Sequence, residues 1–199
     1  GGPMWETGYV EIAHKMAEHN MIDWRKTGTT RVICLDPHDY ITMIEHYPTL
    51  DENFDEFEIV LGVDLVAELI REGKIELTTP IARTVTYHDP CRLNKRKGIW
   101  QEPREILRSI PGLTFNDVDR VTQWSYCSGA GSNLATEKPE LTAEISRRRI
   151  EKAAALDGVD TLVSACPWSE RPLTEQGKAQ GIEVFDIFEL VAEAAGFEV

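Results

Sequence analysis

The 199-residue sequence contains no CxxC pair and no surplus of basic charge. It also has no run of about 20 apolar residues, the length a helix needs to cross a bilayer, so the chain itself is expected not to span a membrane. Lys and Arg number 21 against 34 Asp and Glu, a formal charge of -13, which argues against a nucleic-acid footprint and offers no basic stripe for anionic lipid. The opening GGPMWETGYV lacks the basic-then-apolar pattern of a secretion signal. A soluble, cytoplasmic chain is the expectation. Its four cysteines then read as reduced thiols or ligands rather than a disulfide scaffold, although two bridges remain open.

What the sequence does contain is an alternation of strand and helix signals. EIAHKMAEHN carries Ile12 and Met16 at helical spacing, with Met21 further on, and RVICL is a short β-prone run after the turn TGTT. DPHDYITMIEHYP places a proline at a helix start, with Tyr40, Met43 and Ile44 as its expected buried side. FEIVL leads into VDLVAELIREG, closed by Gly73. After a polar stretch ending at Thr79 and Pro80, ARTVTYH reads as a strand, PREILRSI as a helix and PELTAEISRRRIEKAAALDG as a long helix. TLVSA, a helix over SERPLTEQ, IEVFD and IFELVAEAAG complete the series.

The chain also repeats itself. RVICLDPHDY parallels TLVSACPWSE at an offset of 130, and EIVLGVDLVAEL parallels EVFDIFELVAEA at an offset of 125. A repeated strand, Pro-bearing turn, helix, strand and helix predicts an α/β fold of two pseudo-symmetric halves, each with a short mostly parallel sheet flanked by helices. The halves are expected over residues 1–80 and 81–199, with strand-end loops around a pseudo-symmetry axis where a ligand could sit. Two unrelated amphipathic βα units would be the plainer explanation.

Cys91, Cys127 and Cys166 share a context: each falls where an apolar or β-prone run gives way to a turn, in TVTYHDPC, VTQWSYCSGAG and TLVSACPWSE. Thiolates are soft ligands for Fe, Zn or Cu(I), whereas Ser and Asp oxygens are harder partners. Three thiolates support a cluster only if another group, sulfide or an open iron completes the coordination. Gly129 and Gly131 of CSGAG would let backbone amides approach an anionic cluster. Taken singly, each cysteine could equally be a small buried hydrophobe. Cys34, inside VICL, is expected in the core with no ligand role.

The segment TYHDPCRLNKRKGIWQEPREILRSIPG, followed by YCSGAG and ACPWSE, resembles the cysteine-rich CCG domain of heterodisulfide reductases. It is similar as well to the related cytoplasmic iron–sulfur subunit of dissimilatory sulfite-reduction membrane complexes. Such domains present one cysteine, then a CCG pair, then a CxxC, and bind a noncubane [4Fe–4S] or related cluster. Here 35 residues lie between Cys91 and Cys127 and 37 between Ser128 and Cys166, which fits that spacing. The resemblance implies Cys91, Cys127 and Cys166 as metal ligands, with Ser128, Ser169 and Gly129 beside the cofactor. Ser128 and Ser169 stand where the family has cysteines, so five thiolates have become three. In the first half Asp36 and Asp39 occupy the places of cysteines, and no conventional cluster is expected there. The opening GGPMW looks like the tail of a first CCG motif, which would make the chain a portion of a longer protein.

The family resemblance further implies an oxidoreductase component that passes electrons from a partner to a cluster near a disulfide or related sulfur substrate. Its partners would be other redox subunits, a membrane-anchored partner and a small sulfur-carrier protein, with the chain cytoplasmic and peripheral to a membrane complex. His88 would donate a hydrogen bond to a ligand or substrate sulfur, or else cap the turn at Asp89 and Pro90. Trp124 and Trp168 would shield the site from water. A cofactor-free docking domain with the same fold, and a structural zinc domain with three cysteines and a fourth ligand, are the alternatives.

Overall fold

The computed structural model describes residues 1–119, 121, 124–131 and 133–198. The chain condenses into two compact units, Gly1–Gly62 and Val63–Val199, each an α/β arrangement around a small parallel sheet. No helix among the described residues is long and apolar enough to cross a membrane.

In the first unit α1 (Gly2–Glu6) and α2 (Val10–Thr27) precede β1 (Arg31–Cys34), α3 (Pro37–His46) and β2 (Glu58–Leu61). The two strands run parallel, Arg31 opposite Glu58 and Cys34 opposite Leu61. Gly28, left-handed at φ 69°, stops α2, and Pro37 starts α3 because its fixed φ suits the first helical turn. The buried face of α2 is Ala13, Ala17 and Met21, packed toward Tyr47, Phe54 and Phe57; the expected Ile12 and Met16 point to solvent instead. The aromatic rings already fill the space beneath the helix, so the face with small residues is the one that approaches them. In α3 likewise Pro37 and Ile41 are the buried residues, while Tyr40, Met43 and Ile44 are half-buried. Cys34 lies in the core as expected and donates to Met43 Sδ at 3.6 Å; burial, then Asp39 and Asp36, push its thiol up to about 11.

The second unit starts with α4 (Gly62–Arg71), stopped at Gly73, and continues through β3 (Thr84–His88), α5 (Cys91–Lys97), α6 (Gln101–Ser109) and β4 (Thr114–Phe115). Then come α7 (Leu134–Glu137), α8 (Pro139–Ala154), β5 (Thr161–Ser164), α9 (Pro167–Lys178), β6 (Glu183–Asp186) and α10 (Ile187–Ala194). Its strands form one parallel sheet in the order β4-β3-β5-β6. Ile150, Ala153, Leu162, Leu173 and Ile182 pack α8 and α9 against one face. The short α5 and β4 carry too few apolar positions to show a period, and sequence patterning does not reveal them.

The repeat reappears as strand pairing. Offsets of 130 and 125 carry the Arg31–Glu58 pair of the first sheet onto the Thr161–Glu183 pair of the second. The same offsets carry Asp36, the N-cap of α3, onto Cys166, the N-cap of α9.

Candidate functional site

Strands β3 and β5 lie side by side with His88 opposite Ser164, so both end at one edge of the second unit's sheet. Asp89 and Pro90 lead from β3 into α5, whose first residue is Cys91; Ala165 leads from β5 to Cys166 and Pro167, where α9 begins. Two of the three cysteines therefore stand at helix starts beyond adjacent parallel strands, where α/β sheets hold their ligands. Cys127 differs. Residues 124–128 form a loop, not the end of a strand, and residues 122 and 123 of the β-prone run lie outside the described residues.

That loop is held from below by α8. Ser146 Oγ donates to the Ser128 carbonyl at 2.6 Å and Thr142 Oγ1 to the Gly129 carbonyl at 2.8 Å. Gly129 adopts φ 82°, and a Cβ there would meet Ile145 Cβ at 3.1 Å and the Thr142 carbonyl at 3.2 Å, so the position admits only glycine without strain. Its N–H donates to Cys127 Sγ at 3.2 Å, and Asn94 Nδ2 of α5 donates to Ser125 Oγ at 2.7 Å. Ser128 and Ser169, 41 residues apart in sequence, hydrogen-bond each other through their hydroxyls at 2.9 Å in a buried setting. Cys166 is three residues before Ser169, at the N-cap of the same helix, and its side chain makes no cap bond.

The thiols are not bridged by disulfides. Cys91 is half-buried, and burial, followed by the neighbouring Cys127 sulfur, pushes its thiol above the ordinary range. Cys127 is exposed and Cys166 buried. Among the described residues the three sulfurs do not form a group with every pair inside 4.8 Å. The structure thus sets Cys91 within electrostatic reach of Cys127, and Ser128 against Ser169, around one edge of the sheet.

The surrounding polar network was not apparent from sequence. Asp89 is gripped by both terminal nitrogens of Arg104 at 2.8 Å, and Arg104 also reaches Asp117 at 2.7 and 3.1 Å, fixing the turn before Cys91 to α6. His88 is buried, and its Nδ1 accepts from Arg149 Nε at 3.1 Å while Arg149 Nη2 donates to the Tyr87 carbonyl at 3.0 Å. Burial, then the charges of Arg149 and Lys95, hold His88 well below its ordinary range, so it is neutral. The two tryptophans do not shield the site as expected: Trp124 is 70% and Trp168 41% exposed. Trp168 instead lines a groove of about 460 Å³ beside the site, with Ala130, Thr142, Pro167 and Arg171.

A family model for the cysteine-rich CCG domain matches residues 85–168, the segment that holds this site. The chain is 34% identical over 203 residues to a dihydromethanophenazine:CoB–CoM heterodisulfide reductase component of Methanosarcina mazei, covering 100% of the chain and 49% of that protein. The counterpart from Methanosarcina acetivorans is 32% identical over 204 residues, with 100% and 50% covered. A component of the CoM/CoB fumarate reductase of Methanothermobacter marburgensis is 29% identical over 194 residues, with 96% and 37% covered. The chain spans about half the length of the heterodisulfide reductase proteins it matches.

Proposed function

We propose that this chain, a CCG-domain protein related to the iron–sulfur components of heterodisulfide reductase and CoM/CoB fumarate reductase, carries a thiolate-bound iron–sulfur cluster in its second unit. A redox domain of this kind would serve a larger oxidoreductase acting on a thiol, disulfide or related sulfur substrate. The observation that carries the reading is the gathering of positions 91, 127, 128, 166 and 169 at one sheet edge, although they span most of the second unit.

The donor set supports three thiolates and not five. Ser128 and Ser169 stand where two of the family's cysteines are expected, and their hydroxyls satisfy each other. A noncubane cluster that needs all five sulfurs does not suit this donor set; Cys91, Cys127 and Cys166 would be the residues to hold a cluster with fewer protein ligands. A mononuclear zinc with sulfurs at about 2.3 Å in a tetrahedron would set every pair about 3.8 Å apart, whereas the three sulfurs are not all within 4.8 Å of one another. The amide of Gly129 donates to Cys127 Sγ, the kind of N–H···S contact that tunes iron–sulfur centres.

When bound, such a cluster would supply one-electron steps for the two-electron chemistry of a thiol–disulfide couple. The chain's own residues prepare the place. Asp89 and Arg104 lock the turn that presents Cys91, and α8 clamps the loop that presents Cys127. The groove lined by Ala130, Pro167, Trp168 and Arg171 would be the place for a small sulfur compound or the exposed thiol of a carrier protein to dock. His88, neutral and fixed by Arg149, would act as a hydrogen-bond donor rather than a proton source. Redox subunits, one of them membrane-anchored, would be its partners on the cytoplasmic side.

Anaerobic purification followed by iron, zinc and acid-labile sulfide analysis tests the reading. Iron with sulfide supports it. Zinc without sulfide would replace it with a structural metal domain, and neither metal with a docking domain that has kept only the fold. Restoring cysteine at both Ser128 and Ser169 is expected to raise cluster occupancy, since the two positions already touch.

A further inference from the structure

Helix α8 turns a buried polar stripe toward the cysteine loops: Thr142, Ser146 and Arg149, spaced four and three residues apart. The first two hold the Gly129 and Ser128 carbonyls. The third brings a positive charge into the interior. Its Nε and Nη2 are met by the neutral acceptors His88 Nδ1 and the Tyr87 carbonyl, and Nη1 has no partner among the described residues.

Arg104 shows what a neutralised buried guanidinium looks like in this protein, since Asp89 and Asp117 bond it from two sides. No carboxylate bonds Arg149 among the described residues. A buried ion without a counter-ion is costly, and a protein that retains one has its charge met by something else. Burial draws Arg149 down to about 10, while Asp89, Asp117, Asp119 and Tyr126 act from a distance to hold it up, so it is charged at neutral pH. Tyr126 adjoins Cys127, and His88 lies three residues before Cys91. The charge is therefore bonded to the end of the strand that leads to Cys91 and lies within electrostatic reach of the loop that carries Cys127.

We infer that Arg149 is the built-in counter-charge for an anionic occupant of the cysteine site, a metal centre wrapped in thiolates, and that it positions His88 with its proton on Nε2. This rests on the function proposed above. Because Arg149 Nε donates to His88 Nδ1, the neutral ring must carry its hydrogen on the other nitrogen. Arg149 is a positioning residue: it acts on the centre through charge and through His88.

The test compares wild type, Arg149→Met and Arg149→Lys, each purified anaerobically, in metal-free form and after reconstitution with iron and sulfide. Arg149→Met is expected to change the melting temperature of the metal-free protein little, because removal of the buried charge offsets the loss of its two hydrogen bonds, to His88 Nδ1 and the Tyr87 carbonyl. It should weaken iron–sulfide uptake between about 10- and 100-fold, the usual range for residues supporting a metal centre, and lower the midpoint potential of what is bound. Arg149→Lys, which keeps the charge, should recover most of the uptake. A drop in metal-free melting temperature with uptake and potential equal to wild type would overturn the inference and make Arg149 a structural clamp. Wild type that takes up no iron would instead refute the proposed function itself, and the inference with it.

Discussion

Strands β1 and β5 occupy the same place in the repeat, yet their apolar residues meet opposite fates. Ile33 and Leu35 are 51% and 52% exposed; their counterparts at the 130-residue offset, Val163 and Ala165, are 0% and 1% exposed. In the second unit β3 pairs along β5, with Tyr87 opposite Val163, whereas the first sheet consists of β1 and β2 alone among the described residues. An apolar side chain on a strand is buried by its neighbours, not by its own hydropathy. The turns that follow differ in the same way. Asp36 caps α3 by accepting from the His38 N–H at 2.8 Å, while Cys166, at the equivalent N-cap, makes no cap bond. One turn spends its side chain on the helix cap; the other does not.

Aspartate at the paired strand positions gives the largest expected contrast. Val163→Asp buries a carboxylate without a partner and should cost more than about 3 kcal/mol, whereas Ile33→Asp should stay within about 0.5 kcal/mol. Urea unfolding followed by circular dichroism reads both, and equal losses would break the comparison. Glycine offers a second contrast. Gly129→Ala adds a Cβ against Ile145 and the Thr142 carbonyl and is expected to cost about 2 kcal/mol. Gly28→Ala, at φ 69° with nothing near its Cβ, should cost about 1 kcal/mol. If the two variants melt alike, the close packing of α8 on the cysteine loop is not what constrains Gly129.

At the turns, Asp36→Ala should lower stability by about 1 kcal/mol through loss of the cap. Cys166→Ala loses no cap bond, so its main expected effect is on metal content rather than on folding; a cap-sized loss at Cys166 with metal retained would reverse the assignment. The smallest effect concerns pH. Asp64, in the first turn of α4, is raised to about 6 chiefly by burial, then by Glu102, against the pull of Arg71. The folded protein holds that proton more tightly than the unfolded chain, so this group's contribution to stability falls as pH rises from about 4 to 6. Asp64→Asn should then stabilise the protein at pH 8 by about 1 kcal/mol, discounted for a half-exposed group, and leave it unchanged at pH 3. A gain of the same size at both pH values would show that the charge is not the cause.

The repeat, the Pro-bearing turns and the glycine stops were legible because they are local: period, φ preference and punctuation are written in a few adjacent residues. The positions of Ser128 and Ser169 were legible only through the family pattern, and that they touch is a property of the fold. What patterning could not reveal is the partner of each face. Ala13 and Ala17 rather than Ile12 and Met16 face the core because of the aromatic rings opposite. In SRRRI, Arg147 and Arg148 pair with Glu144 on the surface, while Arg149 is buried. A signal was present. Arg149 falls on the face of Thr142, Ser146, Ile150 and Ala153.

If Cys91, Cys127 and Cys166 hold an iron–sulfur cluster in the second unit, as proposed, the metal must depend on Cys91. Iron and acid-labile sulfide per chain, measured in anaerobically purified wild type and Cys91→Ala, test it most directly. Iron and sulfide are expected in wild type and are expected to be lost in the variant, with the fold retained. Equal metal content in the two proteins, or none in wild type, would contradict it.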